Sequence, residues 1–218
     1  MARQRLVIFM DKIIKMIAIT GCPKSQYYSS ICLDAWSKLG YEVEWFEASI
    51  PDTIKDLCEL TFAENKWSGY AFTPTEKAIW YSHYRLWKTV EEPTYIIEHD
   101  TYPMNRLPEF SDKPCGIFSC FPRNPKHPVH TPQHGHGSGI APCSGYYLTP
   151  ETARTLIKNI AKKHDCNVDA YVHDQFRKLL NIKDSEFVEY YASISTCFQI
   201  YNHDIGASAE HNIIKRDV

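Results

Sequence analysis

The opening of the chain constrains its fold more than any other stretch, because it spells a strand, a helix and a second strand in close succession. Met16 to Thr20 (MIAIT) is continuously apolar, the composition of a strand buried on both faces rather than one with a solvent side. Gly21, Cys22 and Pro23 break that run. Ser25 then begins a polar-capped helix reaching Leu39, with Ile31, Leu33, Ala35, Trp36 and Leu39 approximating one face. Gly40 ends the helix, and Tyr41 to Phe46 (YEVEWF) alternates apolar and polar residues as a half-buried strand does. Such a unit predicts a parallel strand pair, and open α/β sheets take their ligands beyond the carboxyl ends of the strands. GCPKSQ lies at that end. A Walker phosphate loop would have Gly at the Gln26 position and a Lys-Ser/Thr pair after it, so that reading is rejected.

The pattern continues in the same style. Ile54 to Asn65 reads as helical, and Thr75 to Val90 as a better helix with Thr75 as its cap and Ala78, Ile79, Ser82, Leu86 and Trp87 along it. Tyr95 to Ile97 is a short β-prone run after the breaker Pro93, and it ends in Glu98, His99 and Asp100. In an extended backbone Glu98 and Asp100 project from one face, and His99 from the other. Two carboxylates so placed repel unless a proton or a cation lies between them. They are therefore either two solvated acids at a strand end or the holders of a hard divalent ion shared with a phosphate-bearing ligand. Ser82-His83 has a similar pair of readings: a buried histidine that holds a neighbouring loop, or a contact to a bound sugar or base.

Residues 123–144 (RNPKHPVHTPQHGHGSGIAPCS) are rich in Pro, Gly and His and have no periodicity, which makes them a long loop. The loop is either a lid that orders on substrate binding or a disordered segment. His127, His130, His134 and His136 match no closed zinc spacing. Ser144 to Tyr147 reads as a strand, and Pro150 to Lys163 as a helix capped by Thr149 with proline at its first position. Val168 to Leu180 is a further helix, with Asp169 near its start. Phe187 to Tyr191 and Cys197 to Tyr201 read as strands, followed by Asn202, His203 and Asp204.

The block from Phe72 to Asp100 resembles glycosyltransferase family 25, whose members move sugars onto lipooligosaccharide or collagen hydroxylysine. The residues that carry the resemblance are Phe72, Thr73, Pro74, Glu76, Ala78, Ser82, His83, Leu86 and Trp87, then Ile96, Ile97, Glu98 and Asp100. Weaker echoes lie in GYYLTPETARTLI at Gly145 to Ile157 and in NVD at Asn167 to Asp169. The chain departs from the family at His99, where an acid is usual, and it lacks an early arginine. The resemblance implies an α/β fold of glycosyltransferase-A type, a Rossmann-like nucleotide-sugar domain with a central mixed sheet flanked by helices. It implies metal-dependent, inverting transfer of a sugar from a UDP-sugar to a hydroxyl acceptor, which would be a glycan, a protein or a modified nucleotide. Glu98, Asp100 and a late histidine, His203, would hold the metal. Oxygen ligands suit Mg²⁺ or Mn²⁺, and one imidazole favours Mn²⁺. Lys24, Ser25, Ser82, His83 and Glu98 would contact the donor. Asp169 stands where the family has an apolar-Asp pair and would be the base that deprotonates the acceptor; its competing reading is a helix-capping acid. A non-catalytic sugar- or nucleotide-binding relative is the alternative, and a metal-dependent hydrolase built on the His-rich loop a third.

Composition sets outer limits. At 218 residues without repeats or a second compositional regime, the chain reads as one domain at 16–218 after a short extension at 1–15. A formal net charge of −2 makes no case for nucleic acid, although a local basic groove is compatible with it. The eight cysteines include no C-x-x-C pair. Leu6 to Met10 is cut short by Asp11 and Lys12 with no cleavage site after it, and no stretch has the roughly 18 apolar residues of a membrane span. The expectation is a cytoplasmic protein with reduced thiols and no membrane span.

Overall fold

The computed structural model describes residues 12–54, 60–64, 71–118, 144–160, 165–183, 186–187 and 196–199. Seven strands and four helices are formed among them: β1 (Ile13–Ala18), α1 (Pro23–Lys38), β2 (Val43–Glu47), α2 (Pro74–Trp87), β3 (Thr94–Glu98), β4 (Thr101–Pro103), β5 (Cys115–Ile117), β6 (Gly145–Leu148), α3 (Pro150–Asn159), α4 (Val168–Leu180) and β7 (Cys197–Gln199). Five strands make one mixed sheet in the order β2-β1-β3-β6-β5, and β4 pairs with β7 in a second, two-stranded sheet. The α/β class expected from the opening strand, helix and strand is thus present: β1 pairs parallel with both β2 and β3. β6 is antiparallel to β3 and to β5.

β1 begins at Ile13, ahead of the expected Met16. Lys15 interrupts the apolar run in sequence but not in space, because its stem lies partly buried and its ammonium reaches Glu44 of β2 at 3.8 Å. α1 also begins earlier than expected, at Pro23, whose fixed φ and missing N–H suit the first helical position. Gly40 follows α1 with φ +82°, a conformation that side chains with a Cβ rarely adopt. α2 is capped by Thr73, not Thr75. Thr73 and Glu76 form a reciprocal capping box across Pro74.

Two further expectations are corrected. Leu60 to Glu64 is not helical: Glu64 makes a β-bridge to Ala71, and Phe62 packs on Phe72 with ring centroids 5.2 Å apart. Phe187 is not in a strand, since its N–H bonds Lys183 O in a helical turn. Residues 161–163 of the helix expected from Pro150 to Lys163, 188–191 and 200–204 lie outside the described residues, as does the His-rich loop except Ser144.

Right-handed crossovers from β1 out to β2, and from β2 past β1 to β3, put α1 on one face of the sheet and α2 on the other. α2 packs with α3 and α4, whereas α1 packs on β4. Trp36, Trp80, Trp87, Tyr146, Phe110 and Phe118 are the largest fully buried side chains, and they fill both layers. Among the described residues no helix is long and apolar enough to cross a membrane, and Cys22, Cys32, Cys115, Cys166 and Cys197 are thiols.

Candidate functional site

The carboxyl ends of β1, β2 and β3 converge on a cluster of polar side chains, and the backbone turn after β3 sets its geometry. Glu98 is the last residue of β3; His99 and Asp100 form a turn, and β4 starts at Thr101. Thr101 clamps this turn. Its Oγ1 accepts the Glu98 N–H at 3.2 Å and donates to Ser144 O at 2.8 Å, while Trp36 Nε1 donates to Thr101 O at 3.1 Å.

The extended backbone assumed for Glu98-His99-Asp100 therefore stops at Glu98. Ile96 pairs with Tyr146 and shares the α2 face of the sheet with Glu98. Asp100 is buried near Cys32 of α1, whose thiol is pushed upward by burial first and then by Asp100 and Cys197 of β7. The two carboxylates so lie in different surroundings. His99 stands on the α1 side, where burial first and the nearby Lys24 ammonium second lower its pKa to about 4.

His83 is the centre of the α2 side. Only 1% of its surface is exposed, and burial lowers its pKa to about 4 against a smaller upward pull from Asp169. It is neutral at pH 7. Its Nε2 lies 3.5 Å from Glu98 Oε1, and its Nδ1 lies 2.7 Å from Tyr146 Oη, which also accepts a hydrogen bond from Trp87 Nε1 at 2.9 Å. Glu98 keeps 24% of its side chain exposed, so one edge of the carboxylate reaches solvent while the other faces the imidazole. Asp169 sits in the first turn of α4 at partial exposure. Glu98 and Asp169, both predicted from sequence, are thus each brought within electrostatic reach of His83.

The other predicted contacts are placed differently. Ser82 is buried and its hydroxyl is occupied by the fold, accepting Ser49 N–H at 2.9 Å and donating to Ala78 O at 2.8 Å. Ser25 is buried, and its Oγ accepts Ile19 N–H at 2.9 Å, closing the turn after β1. Lys24 is half-buried in the first turn of α1, a helix with no side-chain cap and no acid in that turn. His203 lies outside the described residues.

Sequence reasoning missed two groups at the ends of β1 and β2. Glu47 accepts from Thr20 N at 2.9 Å, from the Thr20 hydroxyl and from Trp45 Nε1 at 3.2 Å; its pKa is lowered by these bonds and by Arg85, although burial opposes them. Arg85 of α2 donates to Ser49 Oγ at 3.0 Å and lies over the Phe46 ring. It brings a guanidinium to this end of the sheet from a helix on which the sequence gives no periodic signal for it.

Among the described residues no group of three or more His, Cys, Asp and Glu side chains is placed to hold a metal ion. Glu98 and Asp100 carry oxygen ligands of the kind Mg²⁺ and Mn²⁺ take, but they stand in different surroundings, Glu98 beside His83 and Asp100 buried beside Cys32.

No protein-family model matches the chain, and no curated protein matches it. Among solved structures it is similar to one described as a glycosyltransferase involved in the glycosylation of the major capsid of PBCV-1. The sequence identity is 10% and the TM-score 0.44, over 93% of this chain and 99% of that chain, a likeness too slight to decide either fold or activity.

Proposed function

We propose that this chain is a metal-dependent, inverting glycosyltransferase of the A type, moving a sugar from a UDP-sugar to a hydroxyl acceptor. The observation that supports it is that Glu98, at the carboxyl end of β3 where open α/β sheets take ligands, and Asp169 of α4 both lie within electrostatic reach of His83. The resemblance to glycosyltransferase family 25 had named the same three positions.

In this reading Glu98 and Asp100, with His203, would hold Mn²⁺ or Mg²⁺, which requires the buried Asp100 to turn from Cys32 toward Glu98. The bound ion supplies positive charge to the departing diphosphate without any proton transfer. Lys24 adds a cation near the first turn of α1, where N–H groups favour phosphate oxygens. Asp169 takes the proton of the acceptor hydroxyl as its oxygen forms the bond to the anomeric carbon and the carbon–diphosphate bond breaks. His83, held neutral by its burial, contacts Glu98 without neutralising it.

A second reading, a non-catalytic sugar- or nucleotide-binding relative, is favoured by His99, which stands where family 25 usually has an acid, and by the lack of an early arginine. Release of UDP from a panel of UDP-sugars with Mn²⁺ and no added acceptor separates the two, because transferases leak slowly to water. The transferase reading expects release from at least one donor, reduced by about 100-fold or more in Asp169→Asn. Absence of release from every donor would leave the binding module.

A further inference from the structure

With Glu98 ionised and His83 neutral, one arrangement of donors and acceptors satisfies the contacts of the three side chains behind Glu98. Trp87 Nε1 can only donate, so Tyr146 Oη accepts that bond at 2.9 Å. An ionised carboxylate can only accept. The imidazole nitrogen facing Glu98 Oε1 at 3.5 Å must then carry a proton, since a lone pair there would face negative charge. A neutral imidazole has one N–H, so with Nε2 protonated Nδ1 is bare. The contact of 2.7 Å between Nδ1 and Tyr146 Oη is then closed by the tyrosine proton. Every polarity in the chain runs the same way, from the indole through the phenol and the imidazole to the carboxylate.

The supports of this chain are rigid. Tyr146 has no exposed surface, lies opposite Ile96 in the β3–β6 ladder and packs nearly parallel to the His83 ring at 5.8 Å. Phe176 of α4 meets the Tyr146 ring edge-on at 5.9 Å. Asp169 is the charged group that acts on His83 from α4, and Glu98 the one from β3.

We infer that Trp87 and Tyr146 form a tautomer lock that fixes His83 with its proton on Nε2, aimed at Glu98, and so act as positioning residues for that carboxylate. The lock follows from geometry and stands apart from any activity; its consequence for ligand binding rests on the proposed role of Glu98. Partners behind metal-binding carboxylates commonly matter to affinity by about 10-fold to 100-fold.

The test is a long-range proton–nitrogen correlation spectrum of the ¹⁵N-histidine-labelled chain, compared with Glu98→Gln, which removes the carboxylate charge, and with Glu98→Gln combined with Tyr146→Phe. Expected for the wild type is a pyrrole-like Nε2 and a pyridine-like Nδ1 for His83. Glu98→Gln keeps that pattern, the double variant shows both tautomers, and Mn²⁺ titration of Tyr146→Phe alone shows binding weaker by about 10-fold. If Tyr146→Phe does not fold, Trp87→Phe takes its place, because losing the indole donor frees Tyr146 to reorient. A wild-type spectrum with the proton on Nδ1 would overturn the lock outright, as would a double variant with the wild-type spectrum. A wild type that binds no Mn²⁺ would defeat the proposed metal role of Glu98, whereas the spectrum still decides the lock.

Discussion

Acid titration of His83 should be visible as a loss of folding stability well before the carboxylates are protonated. The side chain is 1% exposed, and its pKa falls from 6.5 in the unfolded chain to about 4 in the folded one, chiefly through burial. A depressed histidine is neutral when folded and binds a proton more readily when unfolded. Its full contribution is therefore present above pH 6.5 and is lost as the pH falls toward 4. Linkage puts the loss at about 2 kcal/mol at roughly pH 5, rising to about 3 kcal/mol once the folded state also protonates. His99 shifts in the same direction at partial exposure, so the wild-type slope contains both residues. The variant His83→Gln isolates the first, because its amide can donate toward Glu98 and accept from Tyr146 while never titrating. Urea unfolding followed by tryptophan fluorescence, from about pH 7.5 to 4.5, measures the difference. The wild type should lose about 2 kcal/mol more than His83→Gln over this range. Parallel losses in the two proteins would refute the inference that His83 is buried and neutral.

Further outcomes follow from packing and capping. Gly116→Ala places a Cβ 2.4 Å from the ring of Phe110, which is buried and stacked on Tyr147, so it should cost about 1–3 kcal/mol and be partly rescued by Phe110→Leu in thermal melts. Thr73→Ala removes one half of the capping box of α2 and should lower stability by about 1 kcal/mol in urea titration. Ser82→Ala leaves the buried Ser49 N–H without its partner on α2 and should cost about 1–3 kcal/mol, without altering the His83 tautomer read by NMR.

What could be read in the sequence was local. Gly40 after α1 and Pro150 behind Thr149 act within one or two turns of chain and are found where their chemistry predicts, and the apolar run Met16–Thr20 announces β1 although the strand itself spans Ile13–Ala18. β4 and β5 are three residues long, too short to display a period, so nothing local announced them. Leu60 to Glu64 has helical composition, but Phe62 packs on Phe72 and the Glu64 backbone bridges to Ala71 instead. At the site, the Ser82-His83 pair and the acid after β3 were visible as a motif. Their arrangement was not, because Tyr146 meets His83 across 63 positions of sequence and Asp100 turns toward Cys32 through a clamp made by Thr101 and Ser144. Residue spacing carries a face only while the backbone stays extended, and here it bends after Glu98.

Calorimetric titration of UDP into the wild-type chain and Glu98→Gln, each with and without Mn²⁺, tests the central claim most directly. Glu98 is the better position to vary than Asp100, since it is partly exposed whereas Asp100 is buried against Cys32. The transferase account expects UDP binding that requires Mn²⁺ and weakens by about 10-fold or more in Glu98→Gln while that variant stays folded. UDP binding indifferent to both the metal and Glu98, or no nucleotide binding at all, would contradict it.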